Sequence, residues 1–95
     1  MRSYELMIIL HPDTDASDAK KIDKIVVKML ADQSKSVKST QIIGKRKLSY
    51  RINKQAEGVY VLVKLSAERM DLGAMEKQVK LMPEIIRYML TLVKE

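Results

Sequence analysis

The order of apolar repeats along the chain is the feature that most constrains its fold. Residues 4–10, 37–52, 59–65 and 86–93 follow the two-residue period of a β-strand. Apolar residues recur at the three- and four-residue spacing of an amphipathic helix after the first of these segments and again after the third. The chain is therefore predicted to fold in the order β-α-β-β-α-β.

This order predicts a particular sheet. Two split β-α-β units with right-handed crossovers give a four-stranded antiparallel sheet with both helices on one face, the ferredoxin-like α+β arrangement. The first and third strands are expected at the centre of the sheet, and the second and fourth at its edges. The 95 residues show no internal repeat and no low-complexity linker, so we expect residues 1–95 to form a single domain.

The first helix is expected to begin between Asp15 and Asp18. Asp15 is its predicted cap, and Asp18 adds negative charge to the first turn, where the helix dipole favours it. Its predicted buried stripe consists of Ala19, Ile22, Val26, Met29 and Leu30. Its remaining surface carries Lys20, Lys21, Lys24 and Lys28. Two interpretations of these lysines stay open: a solvated outer face, which is the commoner case, or a second site for a polyanion.

The second strand carries the most strongly charged stretch, residues 44–52. Its cations are Lys45, Arg46, Lys47 and Arg51, and no acidic residue occurs from 42 to 56. The residues predicted to face the core are Leu48, Tyr50 and Ile52. Because Val37 has the opposite parity, we expect one slip in register, at Gly44. Such a strand suits a polyanion, although lysines also keep an ordinary edge strand soluble.

The remaining elements follow from the same periodicities. Residues 53–58 are predicted to form a hairpin loop, and the third strand is predicted to bury Val59, Val61, Val63 and Leu65. The second helix is expected from about Ala67 until Pro83 stops it, with a stripe of Leu72, Met75, Val79 and Met82. The last strand is predicted to bury Ile86, Tyr88, Leu90 and Leu92.

The sheet face without helices, here called the open face, is predicted to be unusually apolar. It carries Met7, Ile9, Tyr60, Leu62 and Met89, with Lys64 and Arg87 among them. A contiguous apolar surface of this kind indicates a partner. The alternative is an ordinary sheet face, since exposed apolar residues are common one at a time.

The composition argues against catalysis and for a polyanionic partner. There is no cysteine and His11 is the only histidine, so no Cys/His nucleophile or histidine-rich metal site can form. Three glycines form no phosphate-binding loop. We therefore predict no enzyme, cofactor, metal or small-molecule substrate.

The net charge of +6 favours an acidic partner, and no apolar run approaches the roughly 20 residues that span a bilayer. With no signal peptide recognised at the start of the chain, we expect a cytoplasmic protein without a membrane partner.

Several stretches together resemble one family. They are residues 1–5, 8–12, 44–52, 57–60 and 85–89. Their order and spacing are similar to those of the bacterial small-subunit ribosomal protein S6 family. The resemblance implies the ferredoxin-like fold and a structural role on the ribosome, where the family binds central-domain ribosomal RNA as a heterodimer with ribosomal protein S18. The sequence departs from the family pattern at Arg51, where proline is usual. Many members carry a tail past the last strand, whereas the sequence given ends at Glu95.

Two sets of candidate residues result. The RNA-contact candidates are Arg2, Lys45, Arg46, Lys47, Arg87 and Lys94. The protein-partner candidates are Met7, Ile9, Tyr50, Leu62 and Met89. Base stacking is disfavoured as an RNA-binding mechanism, because Tyr60 is the only aromatic predicted on the open face of the third strand. The alternative function is a ferredoxin-like regulatory domain that homodimerises through its sheet and binds a metabolite.

Overall fold

A computed structural model describes the backbone of residues 2–52 and 55–93 and the side chains of residues 2–48 and 56–93. Its elements are β1 (Arg2–Leu10), α1 (Ala19–Leu30), a 3₁₀-helix (Ala31–Ser36), β2 (Val37–Ile52), β3 (Gln55–Ala67), α2 (Leu72–Lys80) and β4 (Ile85–Val93). The strand order is β2-β3-β1-β4, and each neighbouring pair is antiparallel. The ferredoxin-like fold and the central positions of β1 and β3 are therefore confirmed.

The core lies between the helices and one face of the central strands. The buried strand residues are Leu6, Ile8, Leu10, Val59, Val61, Val63 and Leu65. The helix layer adds Ile22, Val26, Met29, Leu30, Met75 and Met82. Alternate residues of β1 and β3 face each other in register, for example Ile8 opposite Val61. Burial of each such side chain contributes about 1.5–3 kcal/mol, so the predicted alternation fixes which sheet face is buried.

The predicted cap of α1 is wrong by three residues. Asp18 is the N-cap, and its carboxylate accepts a hydrogen bond from the Lys21 backbone N–H at 3.1 Å. Asp15 instead accepts from the backbone N–H and the hydroxyl of Ser17, at 2.9 and 2.6 Å. A carboxylate readily bonds the backbone two residues further on, and Asp15 therefore closes a separate turn. Ala19 is exposed in the first turn and does not join the buried stripe.

The second helix begins later than predicted because β3 is longer. Ala67 still pairs with Arg2 in the sheet, so α2 starts only at Leu72, which is 53% exposed and lies outside the core. Asp71 is the N-cap and accepts from the Ala74 N–H at 3.0 Å. The Gln33 amide holds this cap, accepting from the Asp71 N–H at 2.6 Å and donating to the Asp71 carbonyl at 3.2 Å.

The β2–β3 hairpin is also longer than predicted. Residues 55–58 belong to β3 and not to a loop, with Lys47 opposite Glu57. Because Leu10, the last residue of β1, pairs with Val59, the hairpin extends beyond the end of the central strand. This extension carries the cationic stretch of β2, from Arg46 onward, beyond the end of the central strand.

The fourth strand begins one residue earlier than predicted. Its register shifts so that Ile85 lies opposite Leu10, and Ile85, not Ile86, occupies the buried position at 5% exposure. Leu92 pairs with Tyr4 near the far end of the sheet and is 52% exposed, so its predicted burial is wrong. Alternation assigns a residue to a sheet face, but burial also requires that a helix cover that part of the face.

Candidate RNA and protein interface

The register of β2 changes twice before the cationic stretch, where one slip was predicted. Val37 lies opposite Leu65 and Ile42 opposite Val61, which requires a first shift between Val37 and Ser39. A second shift occurs between Ile42 and Gly44. Gly44 has a φ of +110°, a conformation that favours glycine. The two shifts cancel in their effect on the sheet face, so the odd-numbered residues Lys45 and Lys47 lie on the helix side of the sheet, before a third shift between Lys47 and Ile52.

Strand alternation places the three consecutive cations on two sides of the sheet, and the register shifts decide which side each one takes. Lys45 and Lys47 lie opposite Val59 and Glu57, on the helix side of the hairpin, whereas Arg46 lies opposite Gly58 on the open-face side. All three cations are exposed. The Arg46 guanidinium donates to the Lys45 carbonyl at 2.9 Å, which folds it back along its own strand. Lys45 and Lys47 therefore form one pair, and Arg46 belongs to another surface.

The same shift moves Leu48 to the open face, so its predicted position in the core is wrong. A Cβ atom built at Gly58 would lie 2.5 Å from Ile9 Cγ2 and 3.8 Å from Leu48 Cδ2. Leu48 and Ile9 thus meet above the bare backbone of Gly58 on the open face. The predicted inward orientation of Tyr50 and Ile52 concerns side chains outside the described residues.

Sheet pairing brings four of the predicted partner residues together on the open face. Met7 lies between Leu62 on one side and Met89 on the other, and Ile9 follows in the next row. Met89 is 57% exposed and the other three are half-buried. These side chains and Leu48 form one apolar centre, which we call the open-face patch (Met7, Ile9, Leu48, Leu62, Met89). Tyr50, the fifth predicted partner residue, has no described side chain.

The predicted RNA contacts do not lie in one place. Arg87 lies opposite Ile9, in the row that also contains Tyr60 and Gly44, so it shares the open face with Arg46. Arg2 is paired with Ala67 at the other end of β1, roughly 23 Å along the strand from Ile9. Both arginines are exposed. Lys94 lies outside the described residues.

Sequence reasoning missed a groove at the Arg2 end of the sheet. Its volume is about 300 Å³, and its lining includes Ser3, Glu5, Lys38, Lys64, Ser66 and Val93. Glu5 lies opposite Lys64 and Ser3 opposite Ser66. No sequence signal identifies this groove, because it depends on which residues of separate strands are paired.

The described residues offer binding surfaces, and no catalytic constellation is found among them. No group of three His, Cys, Asp or Glu side chains able to hold a metal occurs in the part of the chain that the structure describes. His11 lies 3.4 Å from Asp13 and accepts the Asp13 backbone N–H at 3.2 Å, which makes it a turn residue. Neither described helix is long and apolar enough to cross a membrane.

Comparison with known proteins identifies the family. The family model for Ribosomal protein S6 matches residues 3–91. The small ribosomal subunit protein bS6 of Exiguobacterium sibiricum is 34% identical over 91 residues, which is 96% of either chain. The bS6 of Beutenbergia cavernae is 40% identical over 88 residues, covering 92% of this chain and 91% of the relative. The crystal structure of 30S ribosomal protein S6 from Thermotoga maritima superimposes with a TM-score of 0.79 at 27% identity, over 97% of this chain and 87% of that one. These matches confirm the resemblance read from the sequence, and the chain belongs to the ribosomal protein S6 family.

Proposed function

We propose that this protein binds small-subunit ribosomal RNA of the central domain as a heterodimer with ribosomal protein S18. Membership of the S6 family makes the chain a structural, non-enzymatic protein of the small ribosomal subunit in the cytoplasm. The observation that carries the finer proposal is an apolar open face next to a cationic hairpin. The first surface suits a protein, and the second suits a phosphate backbone.

The open-face patch supplies the protein-binding surface of the proposal. Leu62, Met7 and Met89 lie side by side on three adjacent strands, with no helix covering them. Contiguous apolar surface of this kind is typical of interfaces, and methionine adapts its shape to a partner. Arg46 and Arg87 lie on the same face and border the patch. An S18 molecule seated there would meet apolar groups at its centre and cations at its rim.

The β2–β3 hairpin supplies the RNA-binding surface. Lys45 lies level with Leu10, the last residue of β1, and Lys47 lies beyond it; both lysines are exposed, so the sheet itself does not obstruct a bulky polyanion. Phosphate contacts by lysine are independent of sequence and release counterions. Arg2, Arg87 and Lys94 remain further candidates for RNA contact. Because Arg2 is far from the hairpin, the proposal divides RNA contact between the two ends of the sheet.

Substitution of Leu62 by lysine tests the protein-binding surface. A lysine in an apolar interface without a pairing group is costly, so Leu62→Lys should weaken S18 binding at least tenfold, about 1.4 kcal/mol, while the protein still folds. Its RNA affinity should fall only when S18 is present. The matched control is Val27→Lys, which places the same charge at an exposed apolar position of α1. The readout is calorimetric titration with purified S18.

Equal S18 affinity of Leu62→Lys and the wild type would exclude the open-face patch as the docking surface. Sedimentation of the isolated wild type should give a monomer. A homodimer would support the regulatory-domain alternative.

Removal of the hairpin lysines tests the RNA-binding surface. Each lysine that contacts a phosphate contributes about one unit to the slope of log affinity against log salt concentration. The double variant Lys45→Ala/Lys47→Ala should therefore lower the slope for central-domain RNA by about two units. The control Lys77→Ala/Lys80→Ala removes the same charge from exposed positions of α2 and should leave the slope unchanged. An unchanged slope for the hairpin variant would move the RNA site to Arg2 and Arg87.

A further inference from the structure

The lysines of α1 lie together on the outer surface of the helix, apart from its acidic residue. Its lysines are Lys20, Lys21, Lys24 and Lys28, and all are exposed. At roughly 100° of rotation per residue, they fall within one sector roughly 100° wide. This sector lies opposite the buried stripe that includes Ile22 and Met29. Asp23 is the only acidic residue within the helix and lies outside the sector, towards Val27. The outer face of α1 is therefore uniformly cationic.

Most of this face is not neutralised by the described residues. Lys21 interacts electrostatically with Asp15, whereas no ion pair with a described side chain involves Lys20, Lys24 or Lys28. Lys20 and Lys28 each lie four residues from Lys24, a spacing at which like charges destabilise a helix. Lys20 also lies in the first turn, which contains no acidic residue and where the helix dipole disfavours positive charge. An anionic ligand bound along this face would relieve both effects.

The spacing of the lysines matches one class of anion. Four residues of helix rise about 6 Å, so Lys20, Lys24 and Lys28 present charges at regular intervals along a line of about 12 Å. Consecutive phosphates along a nucleic-acid strand are separated by a comparable distance. Lysine also acts as a point charge, which suits a phosphate backbone and reads no base sequence.

We propose that the outer face of α1 is a second RNA-contact surface, which binds consecutive phosphates of one strand of duplex RNA without sequence preference. Both helices cover the sheet face opposite the open face, so this surface points away from the open-face patch. The protein can thus contact a second RNA segment while the open face and the hairpin are occupied. The inference stands apart from the proposed S18 and central-domain sites, because it concerns other residues and any RNA duplex.

The test compares two triple variants of the full chain on a 20-base-pair RNA duplex of arbitrary sequence. Lys20→Gln/Lys24→Gln/Lys28→Gln should lower the slope of log affinity against log salt by about two to three units. The control Lys35→Gln/Lys77→Gln/Lys80→Gln changes the net charge equally at exposed positions outside α1. It should change the slope by less than one unit. The variant Lys45→Ala/Lys47→Ala serves as a second comparison, since it weakens the hairpin site and leaves α1 intact.

Three results would overturn the proposal. The first is an unchanged slope for the α1 variant. The second is an equal decrease for both triple variants, because this would show that only the net charge matters. The third is that the α1 variant loses more affinity for polyglutamate than for RNA, which would make the α1 face a site for acidic proteins.

Glutamine is a good helix former, and the α1 variant should show a thermal midpoint no lower than that of the wild type. Circular dichroism checks that it folds, and the single variant Lys24→Gln, with an expected decrease of about one unit, provides a milder test.

Discussion

Replacing Gly58 by alanine should destabilise the protein, although the same change usually stabilises a strand. Glycine in a strand interior costs roughly 0.5–1 kcal/mol relative to alanine. At Gly58, however, the new Cβ would lie 2.5 Å from Ile9 Cγ2 and 3.2 Å from the Leu10 carbonyl oxygen. Carbon atoms pack best at about 3.5–4.0 Å. Cγ2 is attached directly to the Ile9 Cβ and cannot move away without a rotamer change, and the carbonyl oxygen belongs to the central strand.

Overpacking of this kind costs about 1–3 kcal/mol. We expect Gly58→Ala to lower the free energy of unfolding by about 2 kcal/mol, which corresponds to a decrease in Tm of roughly 8–16 °C for a domain of this size. Urea unfolding followed by circular dichroism measures the free energy. Displacement of Ile9 should also disturb the open-face patch, and Gly58→Ala should therefore weaken S18 binding under the proposed function.

Two further variants test whether the steric clash with Ile9 causes the expected destabilisation of Gly58→Ala. Ile9→Ala removes Cγ2, so the cost of Gly58→Ala should be smaller by about 1 kcal/mol in the Ile9→Ala background, a coupling typical of residues in contact. Gly73→Ala is the matched control: its Cβ would meet only Asp71 Oδ1, at 3.5 Å, and the change should stabilise by up to about 1 kcal/mol. If Gly58→Ala is as stable as the wild type, or if Ile9→Ala leaves its cost unchanged, the steric argument is wrong.

Three further outcomes are expected from the structure. Gln33→Ala removes both hydrogen bonds to the Asp71 backbone and should lower the free energy of unfolding in urea by about 1–2 kcal/mol; a loss below 0.5 kcal/mol would contradict a role in fixing α2. Gly44→Ala forces a side chain into a φ of +110° and should cost about 1–3 kcal/mol, whereas unchanged urea unfolding would show that β2 relaxes there. The hydrogen bond from the Ser17 hydroxyl, and to a smaller extent the one from the Ser17 backbone N–H, lower the pKa of Asp15 below its ordinary value of 3.8. The stabilising contribution of this carboxylate is therefore present above pH 3.8 and is lost as the pH falls through the lowered pKa. Ser17→Ala should raise that pKa towards 3.8 in an NMR titration, and an unmoved titration would assign the shift to another group.

Local periodicity determined the elements and the inner face of the central strands. Leu6, Ile8 and Leu10 alternate with less buried residues, and a period of two is a property of the strand itself. The same holds for Ile22, Val26 and Met29 on α1, because helical geometry alone places them on one stripe. Together with the right-handed crossover rule, these patterns suffice for the ferredoxin-like sheet and for its central and edge strands. The family resemblance also depended on sequence alone.

Only the tertiary structure decided which way the cationic strand faces. Alternation shows that Lys45 and Lys47 share a side that Arg46 and Leu48 do not, but it leaves open which side meets the helices. Pairing with β3 decides which set of alternate residues lies on the helix side, and each register shift exchanges the two sets. Because two shifts precede Lys45 where one was predicted, Lys45, Lys47 and Leu48 lie on the sides opposite to those predicted, and the sequence marks only the shift at Gly44. Pairing between distant strands likewise extended β3 to Ala67 and so excluded the predicted start of α2 there, because a residue whose backbone groups are bonded in a sheet cannot also begin a helix.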